Sequence, residues 1–355
     1  MDLLRITENF ICFEEDKMYA EEVKQIGKET IYINLFNEEP ILILPRKLVY
    51  LNCNKNDLKE LPDNLVYLYY SENNVKELPE LPDSLVILYC YGNGLETLPE
   101  LPKRLEYLDC SENNLNSLPE LPDNLKELNC FNNNLTSLPE LSKRLQFLQC
   151  FNNNLTNLPY LPKSLLELQC SNNMLKSLHE LPYNLKKINC FHNKIEILPE
   201  LPKSLLELQC SNNMLKSLHE LPDNLVSLNC FHNKIETLPE LPKNLLELQC
   251  SNNMLKSLPE LPKRLEYLNC CHNNLKSLPE LPDSLKKIYC YLNYLQSLPD
   301  LPDSLVNLDC YGNFLETLPD LPNRLKYLNC SYNHLEFLPE LPKKLLCLDF
   351  SENNL

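Results

Sequence analysis

From residue 48 to residue 355 the chain repeats one twenty-letter phrase, of which residues 101–120, LPKRLEYLDCSENNLNSLPE, are a representative copy. A fixed period of this length overrides the two-domain expectation for 355 residues, because each repeat packs only on its neighbours and the outcome is one elongated domain. Aligned copies reduce to Leu-x-x-Leu-x-Cys-x-x-Asn-x-Leu-x-x-Leu-Pro-x-Leu-Pro. The asparagine of this consensus falls at Asn56, Asn73 and every twentieth residue from Asn93 to Asn353, which makes 16 copies. The first copy is three residues short and all later ones keep strict register. Residues 161–200 and 201–240 are nearly identical, so the array grew by copying a two-repeat block.

Within a copy, Leu108 and Cys110 alternate with polar or aromatic residues, the period of a short strand with one face in the core. Leu108 and Cys110 are expected to point inward, and Tyr107, Asp109 and Ser111 outward. Pro119 and Pro122 remove backbone donors on the way back, which excludes a helix of several turns and favours extended or polyproline II backbone. This is the pattern of a leucine-rich repeat. The expected fold is a β-rich leucine-rich repeat solenoid with parallel strands on the concave face, extended or polyproline II return segments on the convex face and a small α/β N-terminal cap. A gentle curvature is expected, because both faces have similar lateral spacing.

The solenoid is assigned to residues 41–355 and the cap to residues 1–40. In the cap, Asp16 to Ile26 reads as a short amphipathic helix with Tyr19, Val23 and Ile26 on one side and Gly27 as its stop. Thr30 to Phe36 reads as a degenerate first strand, since Ile31 and Ile33 lie twenty residues before Leu51 and Cys53. At the other end the sequence carries no polar capping segment after Asn353. A partner covering the last coil, or tolerance of a frayed end, is the expectation there.

Fourteen of the seventeen cysteines form one column, Cys53 and every twentieth residue from Cys90 to Cys330. Tyr70 and Phe350 stand in for cysteine in two copies, which suits a small core hydrophobe and does not suit a ligand or nucleophile. No Cys-x-x-Cys occurs, so no metal site is expected. The asparagine column is expected to satisfy backbone groups in the turn after the strand and to bridge to the next coil. His192, His232 and His272 recur two coils apart, about 10 Å, too far to share a metal ion. With no catalytic constellation or phosphate loop outside the repeat grammar, no enzyme and no cofactor are expected.

The first residues, MDLLRITENFICFEED, lack the apolar core of a secretory signal, and seventeen cysteines without one suggest a reducing, cytoplasmic setting. A net charge of −16 argues against nucleic acid or an anionic membrane as partner.

The phrase Leu-Pro-x-Leu-Pro-x-x-Leu-x-x-Leu-x-Cys-x-x-Asn-x-Leu resembles the short repeats of secreted bacterial effectors of the YopM and IpaH kind, over about nine tenths of the chain. The paucity of alanine and the copied blocks make it similar also to leucine-rich repeat proteins of giant DNA viruses such as mimivirus. The resemblance implies a protein-binding scaffold, acting in the host cytoplasm if it is viral or an effector. IpaH-like effectors add a ubiquitin ligase domain whose nucleophile sits in Cys-x-Asp. Cys347, Leu348 and Asp349 spell that motif, but at ordinary strand positions of the sixteenth copy.

Such families bind proteins on the concave face, so the outward columns hold the candidate contacts. Tyr50, Tyr67, Tyr69, Tyr89, Tyr91 and Tyr107 gather at the N-terminal end, and Tyr267, Tyr289, Tyr291, Tyr311 and Tyr327 at the other. Phe131, Phe151, Phe191 and Phe231 lie between. Tyrosine gives large amphipathic contact area at small entropic cost; the alternative is that these rings only stack across strands. Three readings follow: a non-catalytic protein-binding scaffold, the substrate-recognition half of a ubiquitin ligase system, or a structural component without a discrete ligand. The partner and the oligomeric state are not encoded in any motif.

Overall fold

The computed structural model describes residues 44, 47–54 and 58–355 in full, and the backbone of residues 24–26 and 30–34. Its described part is a single sheet of 18 strands. Strand β1 (Lys24–Ile26) pairs antiparallel with β2 (Thr30–Asn34), which pairs in parallel with β3 (Leu48–Asn52), followed by β4 (Tyr67–Tyr69). From β5 (Ile87–Tyr89) to β18 (Cys347–Asp349) a three-residue strand recurs every twenty residues, including β6 (Tyr107–Asp109) and β7 (Glu127–Asn129). Each strand pairs in register with its successor, as in Tyr107↔Glu127 and Leu108↔Leu128. The short first copy shows as an offset of 17, Tyr50↔Tyr67, where later pairs are offset by 20.

No helix occurs among the described residues, and none is long and apolar enough to cross a membrane. Between strands the chain turns sharply where Leu105 N donates to Pro102 O (3.0 Å), then rejoins the stack where Glu106 N donates to Val86 O (2.8 Å). Prolines in the return segments leave no ladder of donors to build a helix.

The core is one continuous column. Leu105, Leu108, Cys110 and Leu115 are fully buried, and their equivalents recur coil after coil. No coil can cover its own leucines, so burial is completed by the coil on either side. All fourteen column cysteines are buried and free. Burial raises their thiol pKa, to about 12 at Cys150, Cys190 and Cys230, which keeps them neutral and unreactive near pH 7.

Asn113 shows what the other column does. Its Nδ2 donates to Cys110 O (3.1 Å) and Ser111 O (2.9 Å) in its own coil and to Cys90 O (3.0 Å) in the coil before. Its Oδ1 accepts from Leu95 N (3.0 Å), also in the coil before. The bridge therefore runs back to the preceding coil, where the sequence suggested the next. Asn133, Asn213 and Asn333 repeat the set. Among the described residues, the residue before a ladder asparagine has positive φ, 52–54° at Glu112, Asn132, His192, His232 and His272, so the three spaced histidines occupy a left-handed turn position that asparagine, histidine or glycine takes most readily.

The cap differs from expectation in two respects. Residues 16–23 of the expected helix lie outside the described residues, and Lys24–Ile26, its last turn, is strand β1. The strand β2 stands where expected, but Ile33 registers with Leu51 and Ile31 with Leu48, with an irregularity between Ile31 and Tyr32. That bulge shifts the pairing by one residue, from an offset of 17 at Ile31 to 18 at Ile33.

Candidate interaction surface

Strand geometry sorts each coil. In β6, Leu108 is buried while Tyr107 and Asp109 are half-buried on the outer face, and the same out-in-out pattern holds along most of the array. At the N-terminal end five tyrosines form a chain of ring contacts. Tyr50 lies 6.3 Å from Tyr67 and 5.3 Å from Tyr69, Tyr69 stacks on Tyr89 at 4.5 Å, and Tyr89 meets Tyr107 at 4.8 Å. Tyr91 is half-buried two residues beyond Tyr89. Burial raises both the Tyr89 and the Tyr107 phenols, so they stay protonated.

The other predicted groups are looser. Phe131 and Phe151 stack at 4.4 Å, on adjacent coils. Phe191 and Phe231 are half-buried with Ser211 between them, and among the described residues no ring contact joins them. The C-terminal group divides into Tyr267–Tyr289 (5.7 Å) and Tyr291–Tyr311 (4.9 Å), while Tyr327 stands 47% exposed without a ring partner among the described residues.

Ser111 corrects the sequence reading. It is expected outward, but is 2% exposed, as are its counterparts Ser71, Ser171 and Ser211 to within a few per cent. The strand ends at Asp109, and the chain is already turning at Ser111, whose N and Oγ donate to Asp109 Oδ1 (3.0 and 2.6 Å). The same cap recurs at Asn189, Asn229, Asn269 and Asn329, whose Oδ1 accepts the amide two residues on. A short Asn or Asp at the end of a strand is the sequence signal for such a turn, and it is legible here only with hindsight of where the strand stops.

Cys347 is exposed on β18. Asp349 accepts from Ser351 N and Oγ (3.0 and 2.7 Å), which holds its carboxyl below the usual range. Its spacing from Cys347 is thus the spacing of strand and cap. Among the described residues no three His, Cys, Asp or Glu are grouped to hold a metal ion. A hollow of about 380 Å³ at the turn edge is lined by His232, Asn252 and His272, and His272 meets the Tyr291 ring edge-on at 5.5 Å.

The family model described as Leucine Rich Repeat matches residues 104–125 and 324–345. The structure of YopM, a leucine-rich effector protein from Yersinia pestis, superposes with a TM-score of 0.73 at 40% identity, covering 83% of this chain and 84% of that one. The chain belongs to the leucine-rich repeat family. YopM from Yersinia enterocolitica matches at 32% identity and a TM-score of 0.56, over 91% of this leucine-rich repeat chain and 90% of its own. The functional domain of InlJ from Listeria monocytogenes, described as including a cysteine ladder, is 25% identical over 69% of this chain and 59% of its own, with a TM-score of 0.56. A comparison with curated proteins finds no match.

Proposed function

We propose that the protein is a non-catalytic scaffold that binds a protein partner on the strand face, the concave face of this family, through its tyrosine clusters. The observation that carries this reading is the chain of five tyrosines from Tyr50 to Tyr107, which presents half-buried, mutually packed rings with little side-chain entropy left to lose. Similarity to YopM, an effector protein, supports a role in which the partner belongs to a host. A column of free, buried thiols supports a reducing compartment such as the cytoplasm.

Changing Tyr69, Tyr89 and Tyr91 together to serine is expected to abolish capture of the partner by the immobilised protein, with the circular dichroism spectrum retained. Undiminished capture by the folded triple variant would end this reading.

A further inference from the structure

One block of the strand face breaks the rules its neighbours follow. Strands β6 and β7 pair Tyr107 with Glu127 and Asp109 with Asn129, so four outward residues form a two-by-two array. Asp109 and Glu127 are half-buried, and desolvation raises both carboxyls, with no Lys or Arg in an ion pair with either among the described residues. The adjacent Lys126 is held by Glu106 at 2.7 Å.

Asn129 is 6% exposed, an outward residue buried as deeply as the core. Its Nδ2 donates to Tyr107 Oη at 3.1 Å. Its Oδ1 has no hydrogen-bond partner. At Asn189, Asn229, Asn269 and Asn329 the same oxygen accepts the amide two residues on. In β7 that cap is missing, and a buried acceptor is left open at a cost of about 1–3 kcal/mol.

Two uncompensated carboxylates, an orphaned amide oxygen and a phenol ring therefore converge. All three polar groups want donors, two want positive charge, and the ring offers a π face. A guanidinium meets each demand, since it is planar, permanently charged, donates five N–H groups and stacks on aromatic rings. We infer that this block seats an arginine side chain of the protein partner, with Asp109 and Glu127 as counter-charges, Asn129 Oδ1 as a third acceptor and Tyr107 as the stacking wall. The inference rests on the strand-face reading above and adds the chemistry of the ligand: an exposed basic segment. The net charge of −16 favours its approach.

Fluorescence anisotropy of the full chain tests this, with a labelled peptide of four Arg-Gly-Tyr repeats as probe and the same peptide carrying citrulline, neutral and nearly isosteric, in place of arginine. Asp109→Asn with Glu127→Gln, and separately Asn129→Ala, are expected to weaken binding at least tenfold. A double variant that removes equal charge elsewhere, Glu196→Gln with Glu236→Gln, is expected to stay within twofold. Thermal melts confirm folding of each. Asp109→Asn keeps the cap, as Asn329 does, so that variant is expected to fold. An equal loss in the control variant, equal affinity of the citrulline peptide, no binding of the arginine peptide, or release of the probe by millimolar calcium bound at the same residues would each overturn the arginine seat. Any of these results would leave the tyrosine-triple capture experiment, and so the broader reading, standing or falling by itself.

Discussion

Residues 50–149 and residues 161–260 present the same coils and different faces. Inward they nearly agree: Leu108 and Leu208, Cys110 and Cys210, Asn113 and Asn213 are all buried in equivalent places, with exchanges such as Tyr70 for Cys170 and Leu88 for Ile188. Outward, the first stretch carries linked tyrosine rings that end at the Asp109, Glu127 and Asn129 block. The second alternates Glu167 and Gln169 with Lys187, Asn189 and Phe191, then nearly repeats itself. On the function proposed above, the buried columns supply stability in every coil while recognition is local. A copied coil is a complete unit of scaffold, whereas a ring cluster exists only where neighbouring coils both carry rings, as at Tyr69–Tyr89, Phe131–Phe151 and Tyr291–Tyr311.

The strongest way to break this comparison is to remove a ladder asparagine from each stretch. Asn113→Ala and Asn213→Ala each delete four hydrogen bonds and strand the Leu95 or Ile195 amide and a cysteine carbonyl. Each is expected to cost about 3 kcal/mol in urea unfolding, from one or two stranded groups at about 1–3 kcal/mol. Unequal costs would show that the two stretches are not energetically alike.

A smaller contrast is expected on the face itself. Tyr89 touches both Tyr69 and Tyr107, and aromatic pairs contribute about 0.5–1.5 kcal/mol each. Tyr89→Ser should therefore lower the melting temperature more than Phe191→Ser, whose ring has no ring partner on an adjacent coil. Equal losses would mean that the rings contribute by burial alone.

The smallest effect concerns Asp109. Burial raises its folded carboxyl, so the unfolded chain releases this proton more readily and ionisation opposes folding. The cost is absent at pH values below the ordinary aspartate range, grows as pH rises through it, and is complete above the raised folded value. Asp109→Asn retains the cap and removes the charge. Its melting temperature is expected to exceed the parent's slightly at pH 7 and to match it at pH 3. A variant that is less stable at pH 7 would show that the carboxylate already has a compensating partner.

What the sequence made legible follows from periodicity. Leu108, Cys110 and Asn113 recur so strictly that strand, core and ladder can be placed from spacing alone, and the structure keeps them there. The segment at Lys24 lies outside any repeat. Tyr19, Val23 and Ile26 suit a helix face, yet the three residues linking Ile26 to Thr30, beginning with Gly27, also suit a hairpin, and pairing with β2 decides. The Asn129 block was invisible for a different reason. Its letters are ordinary for their columns, and only the failure of Asn129 Oδ1 to take the bond its counterparts take marks the site. Ser111 was misplaced because alternation was carried one residue past the end of the strand.

The backward-running asparagine bridge has a consequence for length. From Asn113 to Asn353 each ladder asparagine makes the same two bonds to the coil before it, so a block of coils can be added or lost there without any junction changing its chemistry. What changes is distance: each coil moves the Tyr291–Tyr311 pair about 4.8 Å farther along the axis from the Tyr69–Tyr89 stack. The copied block at residues 201–240 sits between these two clusters, so it acts as a spacer of about 10 Å. Under the proposed function, coil number would work as a ruler, setting which spans on a partner both ends can grip at once.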